Sequence, residues 1–152
     1  MTDQRAVDVA TFVLRLALGA MFIAHSLVLK LIVFTLSGTA QFFQSLGLPG
    51  WSAYVVFVLE AVGGVLLVLG VQVRWVSLAL LPILVGAVWV HSGNGWMFAS
   101  TNGGWEYPLY LTVLAGVQVV LGEGAYALSR SQPFPIWERR PQAALAQPER
   151  KF

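Results

Sequence analysis

The strongest constraint on this chain is a series of long apolar segments that charged residues hardly interrupt. A helix needs about 20 mainly apolar residues to cross the hydrocarbon core of a bilayer, at about 1.5 Å of rise per residue. We identify four candidate spans: Val9 to Ile32, Trp51 to Gly70, Trp75 to His91 and Tyr107 to Leu128. The sequence therefore predicts an all-α integral membrane protein, a four-helix bundle.

The composition supports a membrane environment and excludes several classes of site. Hydrophobic residues make up 57% of the chain and charged residues only 11%, against about 25% charged in typical soluble domains. Because there is no cysteine, the chain has no disulfide framework, thiol relay, thiolate zinc site or cysteine-held iron–sulfur cluster. The basic residues lie at span ends and in the C-terminal tail, so we expect lipid and not nucleic acid as a partner.

We divide the chain into a cytoplasmic N-terminus (1–8), a transmembrane domain (9–128) and a cytoplasmic tail (129–152). Asp3, Asp8 and Arg15 do not fit a cleaved signal peptide, so the first span is predicted to be retained. The tail is rich in Pro, Gln and charge, which predicts flexibility. In the first loop, "TAQFFQSLGLPG" interleaves aromatic and polar residues before a Gly and a Pro. It predicts a short amphipathic helix at the outer membrane interface.

The distribution of Lys and Arg predicts the orientation, because cytoplasmic loops carry the excess of basic residues. With four spans, the side that carries both termini holds Arg5, Arg74, Arg130, Arg139, Arg140, Arg150 and Lys151. The other side holds only Lys30. Both termini are therefore predicted to be cytoplasmic.

Arg15, Glu60 and Glu123 are charged residues deep inside the predicted spans, where a charge is costly without a partner. Arg15 lies about 9 Å from the cytoplasmic ends, Glu123 at a similar depth, and Glu60 nearer the midplane. We expect Arg15 to pair with Glu60 or Glu123 and to fix the helix register; a proton path or ligand anchor is the alternative. Gly63 and Gly64 share a helix face with Glu60, which places Glu60 inside the bundle.

The outer half of the bundle is richer in polar residues. His25 and His91 both come out about 24 Å above the cytoplasmic ends, on two different helices. The residues predicted to share this layer are Lys30, Asn94, Trp96, Trp105, Glu106 and Tyr107. Two histidines at one depth could ligate haem b or a metal, or handle the protons of a quinone. Trp, Tyr and His are also common anchors at membrane boundaries, which is the structural alternative.

The stretch "NGGWEYPL" places a carboxylate, Glu106, immediately before the fourth apolar run. A carboxylate at a helix start accepts hydrogen bonds from free N–H groups and complements the helix dipole, worth about 0.5–2 kcal/mol. Pro108 suits the first turn of the helix, where its missing N–H costs nothing. A functional interpretation is compatible with this one: Glu106 would face His25 and His91 across the outer mouth and exchange protons with a ligand.

Five motifs in order resemble the DoxX family and its DoxD-like relatives, which are small four-helix membrane proteins of bacteria. They are "LRLALGAMFIAHS" followed by a Lys, "FFQSLGLP", "LEAVGGVLLVLG", "HSGNGW" and "GGWEYPL". The resemblance runs from about Leu14 to Leu128. The positions that match the family's motifs are His25, Lys30, Glu60, His91, Asn94, Glu106, Tyr107 and Pro108.

The resemblance implies a multi-pass protein of the bacterial inner membrane that works with partner subunits or as a homo-oligomer. A related protein belongs to a thiosulfate:quinone oxidoreductase, so the expected function is a membrane subunit that passes electrons from a sulfur compound to quinone. In that interpretation His25, His91 and Glu106 handle protons, and Lys30 attracts an anionic substrate or headgroup. The alternatives are a non-catalytic anchor or assembly partner of a redox or oxidative-stress complex, and a small-solute transporter.

Overall fold

A computed structural model describes residues 3–134, and every regular element in that range is a helix. The elements are α1 (Asp3–Ile23), which continues directly as a π-helix (Ala24–Val33), then α2 (Leu36–Ser45), α3 (Trp51–Leu69), α4 (Val73–His91), a 3-10 turn (Ser92–Asn94) and α5 (Glu106–Leu121). The predicted all-α class is confirmed.

Three helical stretches are long and apolar enough to cross a membrane: Asp3–Val33, Trp51–Leu69 and Val73–Asn94. These stretches correspond to the first three predicted spans. Pro82 lies inside the third. Helix α5 has only 16 residues, so it is about 24 Å long against a hydrocarbon core of about 30 Å. Its crossing of the bilayer remains a prediction.

Helices α1, α3, α4 and α5 contact one another in a closed ring. We call the end of this ring where α1 begins the terminal end; it also holds the α3–α4 connection and the residues after α5. We call the opposite end the loop end; it holds the π-helix, α2 and residues 92–105. Since successive helices run in opposite directions, each helix connects the two ends.

The closest helix contact joins α1 to α3 through two glycines. A Cβ atom on Gly64 would lie 3.0 Å from the carbonyl oxygen of Gly19, so neither position has room for a side chain. Glu60 and Gly63 are buried on the same side of α3, which confirms their predicted inward orientation. The apolar core beside this contact consists of Leu18, Phe22, Leu67, Val73, Leu80, Leu84 and Ala115.

The fourth predicted span is too long, because α5 ends at Leu121 and not at Leu128. Gly122 and Gly124 follow the helix with φ angles of 85° and 68°, a region that suits glycine and breaks helical continuation. The Arg74 guanidinium donates 2.9 and 2.6 Å hydrogen bonds to the last-turn carbonyls of Val119 and Val120. Arg74 therefore caps α5 from the neighbouring helix.

The chain after α5 folds back across the terminal end. The Ala125 amide donates to the Asp8 carbonyl at 2.9 Å, and the Ser129 amide donates to the Gly70 carbonyl at 3.1 Å. Residues 129–134, at the start of the tail predicted as flexible, are thus part of the described structure. Residues 135–152 of that tail lie outside the described residues.

The helix predicted in the first loop is present as α2. The Thr35 hydroxyl accepts a 3.1 Å hydrogen bond from the Gly38 amide at its start, and Gly47, with a φ of 80°, follows its end. Its position at the membrane interface remains a prediction.

Candidate functional site

A cavity of about 510 Å³ opens at the loop end, between the main helices and beneath α2. Most of its lining is apolar and includes Met21, Phe42, Phe43, Ile83, Trp89 and Leu111. Its polar lining residues are His25, Lys30, Glu60, His91 and Tyr107. A second cavity of about 490 Å³ adjoins it, and the two share His25, Lys30, Phe42, Phe43 and His91. The two histidines and the lysine therefore stand where the two spaces meet.

Lys30 and Glu60 form an ion pair in the wall of the cavity. The Lys30 Nζ atom lies 2.5 Å from the Glu60 Oε2 atom, and the side chains are 17% and 7% exposed. The pair joins the π-helix to α3, so each charge satisfies the other in a mostly apolar wall. Glu60 was expected in the buried charge network with Arg15; the structure assigns it to Lys30 instead.

Arg15 is fully buried at the terminal end, but the predicted ion pair with Glu60 or Glu123 is wrong. Its guanidinium donates to the backbone carbonyls of Glu123 at 2.8 Å and Tyr126 at 3.2 Å, and it lies over the Phe12 ring. The physical reason is the early end of α5, which leaves irregular backbone carbonyls within reach of a planar group with five donors.

The Glu123 carboxylate has other partners. Its Oε1 atom accepts a 2.8 Å hydrogen bond from the Ser131 amide and another from the Ser131 hydroxyl. It therefore holds the segment that folds back under the bundle, while Arg15 holds the same segment through its backbone. The predicted bracing role is kept, with hydrogen bonds in place of an ion pair.

His25 is held by the helix that carries it and by α5. Its Nδ1 atom lies 3.0 Å from the Met21 carbonyl oxygen, and since a carbonyl only accepts, Nδ1 carries the proton. Its ring stacks on Tyr107 with 6.1 Å between the ring centroids. Among residues 3–134, no hydrogen bond to its Nε2 atom is made, so this atom is available to a ligand.

His91 is held by the loop that follows α4. Its Nδ1 atom lies 3.0 Å from the Gly103 carbonyl oxygen and 3.2 Å from that of Asn102. The Asn94 side-chain amide donates to the same two carbonyls, at 2.9 and 3.1 Å. As at His25, the carbonyls fix the proton on Nδ1 and leave Nε2 without a partner within the described range. Asn94 thus shapes the loop around His91 and does not line the cavity.

Glu106 is not among the residues that line the cavity. Its Oε2 atom accepts a 3.0 Å hydrogen bond from the Phe98 amide, so it holds the preceding loop. It lies in the first turn of α5, with no side-chain hydrogen bond at the helix N-cap, Trp105. Phe98 packs edge-on against Tyr107, with 5.6 Å between the ring centroids. The contacts that link Glu106 to His25 are therefore indirect and pass through Phe98 and Tyr107.

The two tryptophans predicted for the pocket also belong to this loop. Trp96 and Trp105 pack edge to face with ring centroids 4.5 Å apart, and neither lines the cavity. Of the predicted layer, the structure brings together His25, Lys30, His91 and Tyr107 around the cavity. It keeps Asn94, Trp96 and Trp105 in the adjacent segment 92–105, and it places Glu106 at the start of α5 with its carboxylate bonded to that segment.

Sequence reasoning missed two parts of the site. Phe42 and Phe43 were assigned to the apolar face of an interfacial helix, yet both line the cavity; the same amphipathic pattern fits either location. The π-helix had no recognisable signal, and a regular α-helix was assumed through Ala24–Val33.

Comparison with known proteins identifies the family. The DoxX family model matches residues 10–93, a stretch that contains His25, Lys30, Glu60 and His91 and ends before α5. The chain is similar to "Putative oxidoreductase CatD" of Bacillus subtilis (strain 168), with 36% identity over 84 residues, which is 55% of this chain. The chain spans about 60% of the length of that relative.

No solved structure matches this chain. The family model nevertheless covers more than half of the chain, and the stretch it covers contains nearly all of the three described helices that are long and apolar enough to cross a membrane. This membrane protein belongs to the DoxX family.

Proposed function

We propose that this protein is the membrane-embedded subunit of an oxidoreductase system and that the loop-end cavity binds a quinone. The similarity to a protein named as an oxidoreductase supports a redox role. The observation that carries the quinone assignment is the cavity itself, which is apolar over most of its wall and polar where His25, Lys30 and His91 meet. A quinone has a ring with polar oxygens and an apolar tail, so its site needs both a polar and an apolar part of the wall.

The residues present fit such a ligand. The cavity of about 510 Å³ lies within the range of about 300–1,000 Å³ that is usual for small-molecule sites. A bound quinone supplies a redox centre that takes up two electrons and two protons. The electrons come from a partner subunit, with a reduced sulfur compound such as thiosulfate as the proposed donor.

Each polar residue of the wall then has a defined role. Lys30 donates a hydrogen bond to a ring oxygen, and Glu60 holds the Lys30 ammonium in place. The Nε2 atoms of His25 and His91, which have no partner among residues 3–134, would exchange protons with the ligand as general acid–base groups. Tyr107 keeps the His25 ring in its orientation by stacking.

We also propose that both termini face the cytoplasm in the bacterial inner membrane and that the loop end faces outward. The test uses single cysteines, since the chain has none of its own. Thr101→Cys at the loop end and Asp3→Cys near the N-terminus both lie at exposed positions. An impermeant thiol reagent applied to intact spheroplasts should label Thr101→Cys only; labelling of Asp3→Cys instead would reverse the orientation.

The ligand is tested by extracting quinone from the purified protein and by titrating it with decylubiquinone. Binding is followed by quenching of tryptophan fluorescence, because Trp89 lines the cavity. We expect His25→Ala, His91→Ala and Lys30→Met to weaken binding by about tenfold or more, the equivalent of a lost charge-assisted or neutral hydrogen bond.

Arg130→Gln is the matched control for Lys30→Met, because Arg130 lies at the terminal end beside a separate polar cavity. It should bind decylubiquinone as the wild type does. Wild-type protein that neither retains nor binds a quinone would overturn the proposal. Partner capture that survives all three cavity substitutions would then identify an anchor. An absorption spectrum with a Soret band, lost in His25→Ala and His91→Ala, would instead establish haem b.

A further inference from the structure

The helix that carries His25 and Lys30 changes its hydrogen-bond pattern within the site. From Ala24 to Val33 it is a π-helix, in which each amide bonds the carbonyl five residues back. The Phe34 amide ends the segment with such a bond, 2.8 Å to the Leu29 carbonyl. Segments of this kind are usually single turns, so a run of this length needs a local cause.

The wider turn decides which residues face the cavity. In an α-helix, residues five apart are offset by about 140° around the axis. In a π-helix, with about 4.4 residues per turn, the offset falls to about 50°. His25 and Lys30 are five residues apart, and both line both cavities. The π-helix therefore puts the imidazole and the ammonium group on one wall.

Ser26 supplies a cause for the wider turn. It is the one buried residue of the π-helix and is fully shielded. Its hydroxyl Oγ lies 2.8 Å from the Phe22 carbonyl oxygen and 3.2 Å from the Ile23 carbonyl oxygen. In a continuous α-helix those carbonyls would accept from the amides of Ser26 and Leu27. The hydroxyl competes for them, which is how a serine loosens or bends a helix.

We infer that Ser26 is a positioning residue: its hydroxyl holds the π-helical turn that brings His25 and Lys30 to the same wall of the cavity. Its effect on a ligand passes through those two side chains. The geometric part of this inference stands on the helix alone. The expected loss of ligand binding rests on the proposed function.

The test measures helix register with cysteine pairs on the outer face of the segment. Leu27, Leu31 and Ile32 are all exposed and lie outside the cavity. Leu27→Cys with Ile32→Cys, five residues apart, is close in a π-helix and far in an α-helix. Leu27→Cys with Leu31→Cys, four apart, is close in both. A short membrane-permeant thiol cross-linker is applied to each pair, with Ser26 and with Ser26→Ala.

We expect Ser26→Ala to lower cross-linking of the five-residue pair by about fivefold or more and to leave the four-residue pair unchanged, because the offset returns to about 140°. The four-residue pair also reports that the variant has folded. Ser52→Ala is the matched control, since it removes an exposed hydroxyl that donates to the Pro49 carbonyl at 2.6 Å; it should change neither pair.

Unchanged cross-linking of the five-residue pair in Ser26→Ala would overturn the inference. Decylubiquinone affinity is measured on Ser26→Ala with the two native side chains His25 and Lys30 in place, and we expect it to fall by about fivefold or more. If the wild type binds no quinone while the cross-linking result holds, the proposed function fails and the positioning role remains. If Ser26→Ala lowers cross-linking of the five-residue pair but not decylubiquinone affinity, the helix register does not position His25 and Lys30 for the ligand and the inference fails.

Discussion

The two ends of the bundle each bury charge, and they use it differently. At the terminal end, Arg15 is fully buried and donates to two backbone carbonyls, while Glu123 accepts from Ser131. At the loop end, Lys30 and Glu60 bond to each other and to no other side chain among residues 3–134, and they border open space. The first set holds a folded-back segment in place, and the second forms part of a cavity wall.

The comparison shows that burial alone does not identify a functional charge in a membrane protein. Arg15 is the more deeply buried of the two cations, yet the groups around it are backbone carbonyls of its own chain. The loop end differs in having two imidazole Nε2 atoms without partners among residues 3–134 and a mostly apolar cavity, whereas the cavity at the terminal end is lined mainly by polar residues. What surrounds the charge, and not its depth, indicates a ligand site there.

The largest effect is expected at Arg15. Arg15→Leu leaves the Glu123 and Tyr126 carbonyls without donors, and at about 1–3 kcal/mol for each unsatisfied group the free energy of unfolding should fall by about 2–5 kcal/mol. Unfolding in mixed micelles of mild detergent and SDS measures this. Arg5→Gln, at an exposed position, is the control and should change the free energy by less than about 0.5 kcal/mol.

A double mutant tests whether backbone carbonyls or the Glu123 carboxylate hold Arg15. Because the carbonyls remain in both cases, Glu123→Gln should not recover the stability that Arg15→Leu loses. Recovery of most of the loss would mean that the two side chains form the ion pair expected from the sequence, and the contrast between the two ends would disappear.

The next effect is expected at the Lys30–Glu60 pair. Lys30→Met or Glu60→Leu alone leaves one charge unpaired in a mostly apolar wall; full burial would cost about 3–5 kcal/mol. Water in the cavity reduces this, so we expect about 1–3 kcal/mol for each. Removing both charges should recover about 1–2 kcal/mol relative to additivity. The measurement is the same unfolding assay on both single variants and the double variant.

The double variant also separates stability from function. Lys30→Met with Glu60→Leu should be more stable than the two single losses added together predict, yet it should bind decylubiquinone at least about tenfold more weakly, because the hydrogen-bond donor is gone. Wild-type affinity in this variant would make the pair structural, like Arg15, and would leave the two ends of the bundle alike.

Much of the fold follows from the sequence, because the length of an apolar segment and the residues that begin or end a helix are local features of the chain. The first three spans, the helix in the first loop and the inward face of Glu60 were all predicted. The cavity residues His25 and His91 were found because both residues lie at the same distance along antiparallel helices. The polar character of the loop end could therefore be predicted by counting residues along each helix.

The partners of the charged residues were not accessible in the same way. The early end of α5 depends on Gly122 and on a cap from Arg74 of another helix, and no local pattern reports the second contact. With that end misplaced, Glu123 was put on a helix beside Arg15. Lys30 was predicted to lie in the outer layer. Because a regular α-helix was assumed through Ser26, the Lys30 side chain was not expected to face Glu60.

The smallest effect is expected at Glu106, which the sequence placed in the ligand pocket and the structure places at the start of α5, outside the cavity lining. Its carboxylate accepts from the Phe98 amide at 3.0 Å, and a glutamine oxygen can accept the same bond. Glu106→Gln should therefore lower the free energy of unfolding by no more than about 0.5–1 kcal/mol, and Glu106→Ala by about 1–1.5 kcal/mol.

Because Phe98 packs on Tyr107 and Tyr107 stacks on His25, decylubiquinone affinity should change by less than about threefold in Glu106→Gln. A large loss of affinity in Glu106→Gln with unchanged stability would place its carboxylate in direct contact with the ligand and would extend the functional end of the bundle into the loop.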